Sequence, residues 1–230
     1  AGGAATTTGT VTVFAASSLL SAFTELGKQF EAAHPGTTVT FDFGASSALA
    51  QQILAGAPAD VFASASGANM KQVTDSGDAM DPQPFATNKA EIAVAVAAAD
   101  KVQSLADLAK PGLKVALCQQ QVPCGALAHT VLGNAKVTLT PVTEGLDVKS
   151  TLAYVTSGEA DAAIVFATDV LAAGNGVKGV EIPAAVNAST SYPIAVVKGS
   201  RNATLAHSFE DFVLSAAGRK VLTDAGFGTP

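Results

Sequence analysis

Two serine pairs, Ser17-Ser18 and Ser46-Ser47, stand at matching places near the N-terminus. Each follows an extended run that ends in small residues, Val11-Thr12-Val13-Phe14-Ala15-Ala16 in one case and Phe41-Asp42-Phe43-Gly44-Ala45 in the other. Each leads into apolar residues at helical spacing: Leu19, Phe23, Leu26 and Phe30 after the first pair, Leu49 and Ile53 after the second. A serine at a helix start sets a hydroxyl beside backbone N–H groups that have no partner inside the helix. Two such ends aimed at one point would hold an anion with no basic side chain. A single copy would read as an ordinary N-cap, so the repetition carries the reading.

Other chemistry-bearing residues are few. Cys118 and Cys124 flank Val122-Pro123, and in an exported protein such a pair points to a short disulfide rather than two free thiols. Only His129 lies nearby, so the ligands for a structural metal site are missing and no metal is expected. A hydrolase would need a Ser–His or Cys–His pair. His34, His129 and His207 are available and Cys124–His129 is conceivable, but no Gly-x-Ser-x-Gly elbow occurs. Walker, dinucleotide-binding and zinc-peptidase patterns are absent too.

The elements that must position these residues alternate along the chain. Strands are predicted at Val11–Ala15, Val39–Phe43, Asp60–Ala63, Ile92–Ala97, Lys114–Leu117, Ala162–Phe166, Val180–Ile182 and Tyr192–Val197. Helices are predicted at Ser18–His34, Ser47–Ala55, Asn69–Ser76, Ser104–Ala109, Gly125–Leu132, Val148–Ser157, Asp169–Ala173, Thr204–Ser215 and Gly218–Ala225. This alternation predicts an α/β protein with mainly parallel sheets flanked by helices. With 230 residues the chain can fill one large domain or two lobes. Pro82, Pro84, Thr87 and Asn88, and later Ala188–Pro193, interrupt the pattern and mark two lobe boundaries. The expected division is a tether at 1–10, a first lobe from 11–88 and 191–230, and a second lobe at 89–190. Two crossings would form a hinge with a ligand cleft.

Composition excludes several classes of partner. Ala1–Thr10 contains only Ala, Gly and Thr and reads as a flexible tether, suited to a lipid anchor upstream. No apolar run is long enough to cross a bilayer. A net charge of -6 argues against nucleic acids and anionic membrane surfaces, which want basic patches. A small anion is still allowed, because oriented neutral dipoles can hold it.

Several strings taken in order carry a resemblance: Val13-Phe14-Ala15-Ala16-Ser17-Ser18-Leu19, Ser46-Ser47-Ala48-Leu49-Ala50-Gln51-Gln52-Ile53 and Ala55-Gly56-Ala57-Pro58-Ala59-Asp60-Val61-Phe62. Val122-Pro123-Cys124-Gly125, Asp147-Val148, Ala163-Ile164-Val165-Phe166, Tyr192-Pro193-Ile194-Ala195-Val196-Val197 and Ala225-Gly226-Phe227 continue it. In this order they resemble the molybdate-binding proteins of bacterial ABC transporters, the ModA family. The resemblance covers nearly the whole chain after the tether. It implies a two-lobed, type II periplasmic-binding-protein fold whose cleft captures molybdate, and tungstate with it, for delivery to a membrane permease. It also implies an extracytoplasmic monomer with no enzymatic activity and no cofactor. The family's ligand positions fall on Ser18 and Ser46 and on the backbone N–H groups of Cys124 and Val148. Its tyrosine falls on Phe166, which has no hydroxyl. Either the site works with fewer hydrogen bonds, or water or another residue supplies the donor; Tyr154 and Tyr192, the only tyrosines, do not occupy the matching position.

The implied chemistry is consistent with the residues. Molybdate is a dianion whose four oxygens only accept hydrogen bonds, so a donor-only site favours it over protonated phosphate. Sulfate presents the same acceptors, so a sulfate-binding protein is the alternative reading, separated by size of site. Ser17 and Ser47 are expected to be structural or to support the ligands, and Gly125 to permit close backbone approach.

Overall fold

The computed structural model describes residues 8–230. The tether assigned to Ala1–Thr10 lies largely outside the described residues. Its last two residues belong to the first strand, where Gly9 and Thr10 pair with Thr37 and Thr38. In chain order the early elements are β1 (Gly9–Ala16), α1 (Leu20–Ala33), β2 (Thr37–Gly44), α2 (Ser46–Leu54), β3 (Val61–Ala63), α3 (Gly67–Asp75) and β4 (Gln83–Ala95). Then follow β5 (Val115–Cys118), α4 (Pro123–Ala135), β6 (Thr143–Gly145), α5 (Val148–Thr156), β7 (Ala162–Phe166) and α6 (Ala167–Ala173). The chain ends with β8 (Val177–Glu181), β9 (Ser189–Val196), α7 (Ala203–Leu214) and α8 (Ala216–Asp224).

The chain separates into two compact units. The first holds the described residues through Ala86 together with Ser191–Asp224 and Gly228–Pro230; the second holds Thr87–Thr190 and Ala225–Phe227.

In the first unit β1 runs parallel to β2 on one side and to β3 on the other, and β9 joins β3 antiparallel. Its core is aromatic. Phe23, Phe30, Phe41 and Phe209 contact one another at centroid distances of 5.4–6.2 Å, in tilted and edge-on arrangements. Apolar residues on one face of α1 reach this cluster, where Phe23, Leu26 and Phe30 are fully buried. A second cluster, including Phe14, Leu49, Ile53, Phe62 and Met70, packs α2 and α3 against the sheet.

In the second unit β5 lies parallel between β6 and β7, and β4 pairs antiparallel with both β7 and β8. This core is aliphatic, built from Ile92, Val94, Val115, Leu117, Val131 and Ile164. The expected parallel pairing thus holds among β1, β2 and β3 and among β5, β6 and β7, and β4, β8 and β9 pair antiparallel.

Three elements differ from the sequence reading. Strand β4 begins at Gln83 rather than near Ile92, so the proline-containing stretch read as an interruption is a strand. A proline lacks only one ladder donor, and β4 tolerates Pro84 in its exposed first residues. Strand β6 was not predicted, because three residues without a strong apolar pattern leave no periodic signal. The segment predicted as helix at Ser104–Ala109 is a 3-10 turn over Leu105–Ala109.

Candidate functional site

The register of the first unit places the predicted serines together. Ala16 of β1 pairs with Gly44 of β2, and Ser18 and Ser46 each lie two residues beyond that pair. Ala15 of β1 pairs with Ala63 of β3, and Ala63 pairs in turn with Ile194 of β9. Ser64 and Ala65 after β3, and Tyr192 just ahead of Ile194, therefore reach the same sheet edge. This is the carboxyl end of parallel strands, where α/β folds bind their ligands.

Neither predicted serine is a cap. The N-cap positions are Ala16 ahead of the Ser17–Leu19 turn, Leu19 ahead of α1 and Ala45 ahead of α2, and none makes a side-chain capping bond. Ser46 is fully buried, and its Oγ accepts the Ala65 N–H at 2.9 Å. The first bond inside α2 runs from Leu49 N–H to the Ala45 carbonyl, which leaves the N–H groups of Ser46, Ser47 and Ala48 without an intrahelical partner. Ser46 thus has a proton to offer while its backbone lies at the positive end of a helix. Ser18, 6% exposed, has its Oγ 2.8 Å from the hydroxyl of fully buried Tyr192. Ser17 is buried and Ser47 half-buried on the same two turns.

Two residues of this edge escaped the sequence reading. Tyr192 does not align with the family tyrosine, yet its hydroxyl lies on Ser18. Ser64, fully buried, donates its hydroxyl to the Ser66 carbonyl at 2.7 Å. Its signal was present: Val61-Phe62-Ala63-Ser64-Ala65-Ser66 followed by α3 is a third copy of the strand–serine–helix pattern.

In the second unit, Cys124 and Val148 both fall in the first turn of a helix that follows a parallel strand; α4 starts two residues earlier than the predicted Gly125, and α5 starts at Val148 as predicted. Helix α4 starts with Pro123, whose missing N–H costs nothing at that position. The first intrahelical bond there is Ala126 N–H to the Val122 carbonyl, leaving the N–H groups of Cys124 and Gly125 outside the helical ladder. Cys124 is disulfide-bonded to Cys118 at the end of β5. Its sulfur is therefore no nucleophile, which removes the Cys124–His129 option.

Gly125 is needed for a reason other than ligand approach, because a Cβ there would lie on the Gln119 carbonyl. Gly145 meets Thr151 in the same way, which lets α5 close onto β6. Asp147 caps α5 through a reciprocal pair: its Oδ1 accepts the Ser150 N–H at 2.8 Å, and its own N–H donates to Ser150 Oγ at 3.2 Å. With Thr151 N–H bonded to the Asp147 carbonyl, the N–H groups of Val148 and Lys149 remain outside the ladder.

Phe166 ends β7 and is 1% exposed, and its N–H donates to Asp169 Oδ2 at 3.3 Å. Asp169 is buried as well and meets the Lys149 ammonium at 3.1 Å. Burial raises the Asp169 carboxyl to about 6, against the opposing pull of Lys149 and of the Phe166 N–H. The lysine in the first turn of α5 is thus engaged with a carboxylate.

The histidines are occupied elsewhere. His34 Nδ1 lies 3.0 Å from the Phe30 carbonyl, His207 faces Glu210 at 3.3 Å, and His129 is exposed. None is hydrogen-bonded to Ser18 or Ser46. Among the described residues no group of three or more His, Cys, Asp or Glu could hold a metal ion, and no helix is long and apolar enough to cross a membrane.

Each unit therefore ends its parallel strands in donor-rich helix starts, the construction of a solute-binding protein. The chain belongs to the bacterial extracellular solute-binding protein family, whose model matches residues 11–228. It is 43% identical over 221 residues to the molybdate-binding protein ModA of Mycobacterium tuberculosis, covering 96% of this chain and 85% of that protein. Among solved structures, the substrate-binding domain of a putative molybdenum ABC transporter from Clostridium difficile matches with a TM-score of 0.72 at 28% identity, over 97% of this chain and 100% of the other. The periplasmic molybdate-binding protein of Azotobacter vinelandii shares the fold with a TM-score of 0.86 at 21% identity, over 96% and 99% of the two chains.

Proposed function

We propose that this chain captures molybdate, and tungstate with it, and delivers it to the membrane permease of an ABC transporter. The observation that carries the reading is the buried serine edge of the first unit. Ser18 and Ser46 there present hydroxyls beside helix-start N–H groups, with no cationic side chain in the set. Such donors suit a dianion whose oxygens only accept, and charge-assisted bonds make each one stronger than a neutral pair. Cys124 and Val148 offer donors of the same kind in the second unit, through backbone N–H groups. The similarity to ModA proteins over almost the whole chain supports this choice of ligand. Phe166 contributes no donor and serves as core.

On this reading the protein acts outside the cytoplasm as a monomer and catalyses no reaction. The Ala-, Gly- and Thr-only N-terminal stretch suits a tether to a lipid anchor.

Calorimetric titration of ligand-stripped protein with molybdate, tungstate, sulfate and phosphate in one buffer tests the proposal. Tight binding of the first two alone is the expected result. A preference for sulfate would replace the ligand and keep the class, and binding of none would overturn the reading.

A further inference from the structure

We propose that Tyr192 is a positioning residue for oxyanion binding: its O–H donates to Ser18 Oγ and thereby commits the Ser18 proton to the ligand. The proposal rests on the functional reading above and concerns only how the first unit presents its donor.

A hydroxyl has one proton and two lone pairs. The Ser18–Tyr192 contact of 2.8 Å can therefore be made in two senses. If Ser18 donates to Tyr192, its only proton is used and it turns lone pairs toward an incoming anion. If Tyr192 donates, Ser18 keeps its proton for the ligand and its lone pair is satisfied from behind. An all-acceptor dianion selects the second sense. The result is a chain from phenol to serine to oxyanion, in which each donor polarises the next.

The tyrosine is held for this task. Its ring is fully buried and meets Phe85 edge-on at 6.1 Å with an interplanar angle of 84°. Its strand is fixed to β3 through the Ile194–Ala63 pair. A phenol locked by packing orients a serine that would otherwise rotate about its single χ1 bond, so little orientational entropy is lost on binding. The family's tyrosine is lost at Phe166, and this chain places a buried tyrosine hydroxyl on Ser18.

The test is a double-mutant cycle read by molybdate titration. Tyr192→Phe keeps the ring and removes the phenol, and is expected to weaken binding by about tenfold, the worth of one typical hydrogen bond. In a Ser18→Ala background the same change should alter affinity by less than about twofold, since nothing remains to orient. Equal affinity of Tyr192→Phe and wild type, or a full tenfold loss in the Ser18→Ala background, overturns the proposal.

A second measurement covers a Tyr192→Phe chain that does not fold. Replacing tyrosine by 3-fluorotyrosine in a Tyr154→Phe background makes the phenol a stronger donor at nearly the same shape. Tighter molybdate binding is expected, a result that a merely packed ring would not produce; unchanged or weaker binding overturns the proposal. A wild-type chain that binds none of the four anions removes the functional reading and this proposal together. Wild-type binding with an unaffected variant removes this proposal alone.

Discussion

The two units solve the same problem with different materials. Both turn parallel strands into helix starts, β1 to β3 in the first and β5 to β7 in the second. In the first unit the polar groups at the strand ends are side-chain hydroxyls, in a unit that has an aromatic core and whose sequence contains every phenylalanine except Phe166 and Phe227. In the second they are backbone N–H groups, with an aliphatic core, a disulfide, two obligatory glycines and a capping pair around them. Hydroxyls rotate and must be aimed by neighbours such as Tyr192 and Ala65. Backbone donors do not rotate, so the loop that carries them must be fixed. Rigidity is therefore built into side-chain packing in one unit and into the main chain in the other.

The largest effect is expected where main-chain fixation is attacked directly. Gly125→Ala drives a Cβ onto the Gln119 carbonyl and should cost about 4 kcal/mol or prevent folding. Gly133→Ala in the same helix meets open space and should stabilise by about 0.5–1 kcal/mol. Urea unfolding of the two variants checks the contrast, and a mild Gly125→Ala phenotype would show that the loop yields.

The buried carboxylate of the second unit gives the next effect. Asp169 is raised to about 6 from an ordinary 3.8. Its neutral form is the one favoured by folding, so the contribution is complete below about pH 3.8 and is lost as pH rises through about 6. The loss is on the order of 3 kcal/mol, and the Asp169→Asn variant should not show it. Unfolding free energies of both proteins between pH 4 and 7 measure the difference; parallel pH profiles would remove the assignment.

Opening the Cys118–Cys124 disulfide should cost about 2 kcal/mol, because the closed loop is short. Molybdate affinity should fall with it if the disulfide fixes the Cys124 N–H. The Cys118→Ser, Cys124→Ser double variant, unfolded in urea and titrated with molybdate, separates these two effects.

The serine pairs sharpen the comparison at its finest scale. Ser18→Ala and Ser46→Ala should each weaken molybdate binding by about 1–3 kcal/mol, and Ser46→Ala should also destabilise the fold by removing the hydroxyl that accepts the Ala65 N–H. Half-buried Ser47→Ala should change affinity by less than about 0.5 kcal/mol. Titrations of the three variants give the ranking, and equal losses for Ser46 and Ser47 would mean that the wrong hydroxyl has been assigned.

Much of the fold was legible because local pattern coincides with burial. Leu19 at the N-cap of α1 and Phe23, Leu26 and Phe30 within it mark one face, and all are fully buried. The two serine pairs were legible as a repeat, although the capping role that such serines ordinarily take was not theirs. Strand β6 was not legible, because its pairing to β5 is its reason to be extended and three residues show no period. The start of β4 was hidden by prolines that an exposed strand end accepts.

By itself the sequence determined the alternation of strands and helices, the donor-rich starts at Ser18, Ser46, Cys124 and Val148, and the absence of a cationic partner from that set. The alternation and the two serine pairs follow from residue types and near-neighbour spacing, which a linear chain displays; Cys124 and Val148 follow from the family resemblance. Only the tertiary structure decided which distant groups meet. Tyr192 lies 174 residues from Ser18, and Lys149 lies 20 from Asp169. Such meetings depend on strand register and helix docking. Hydrogen bonding acts over about 3 Å whatever the separation along the chain, so no sequence spacing could announce them.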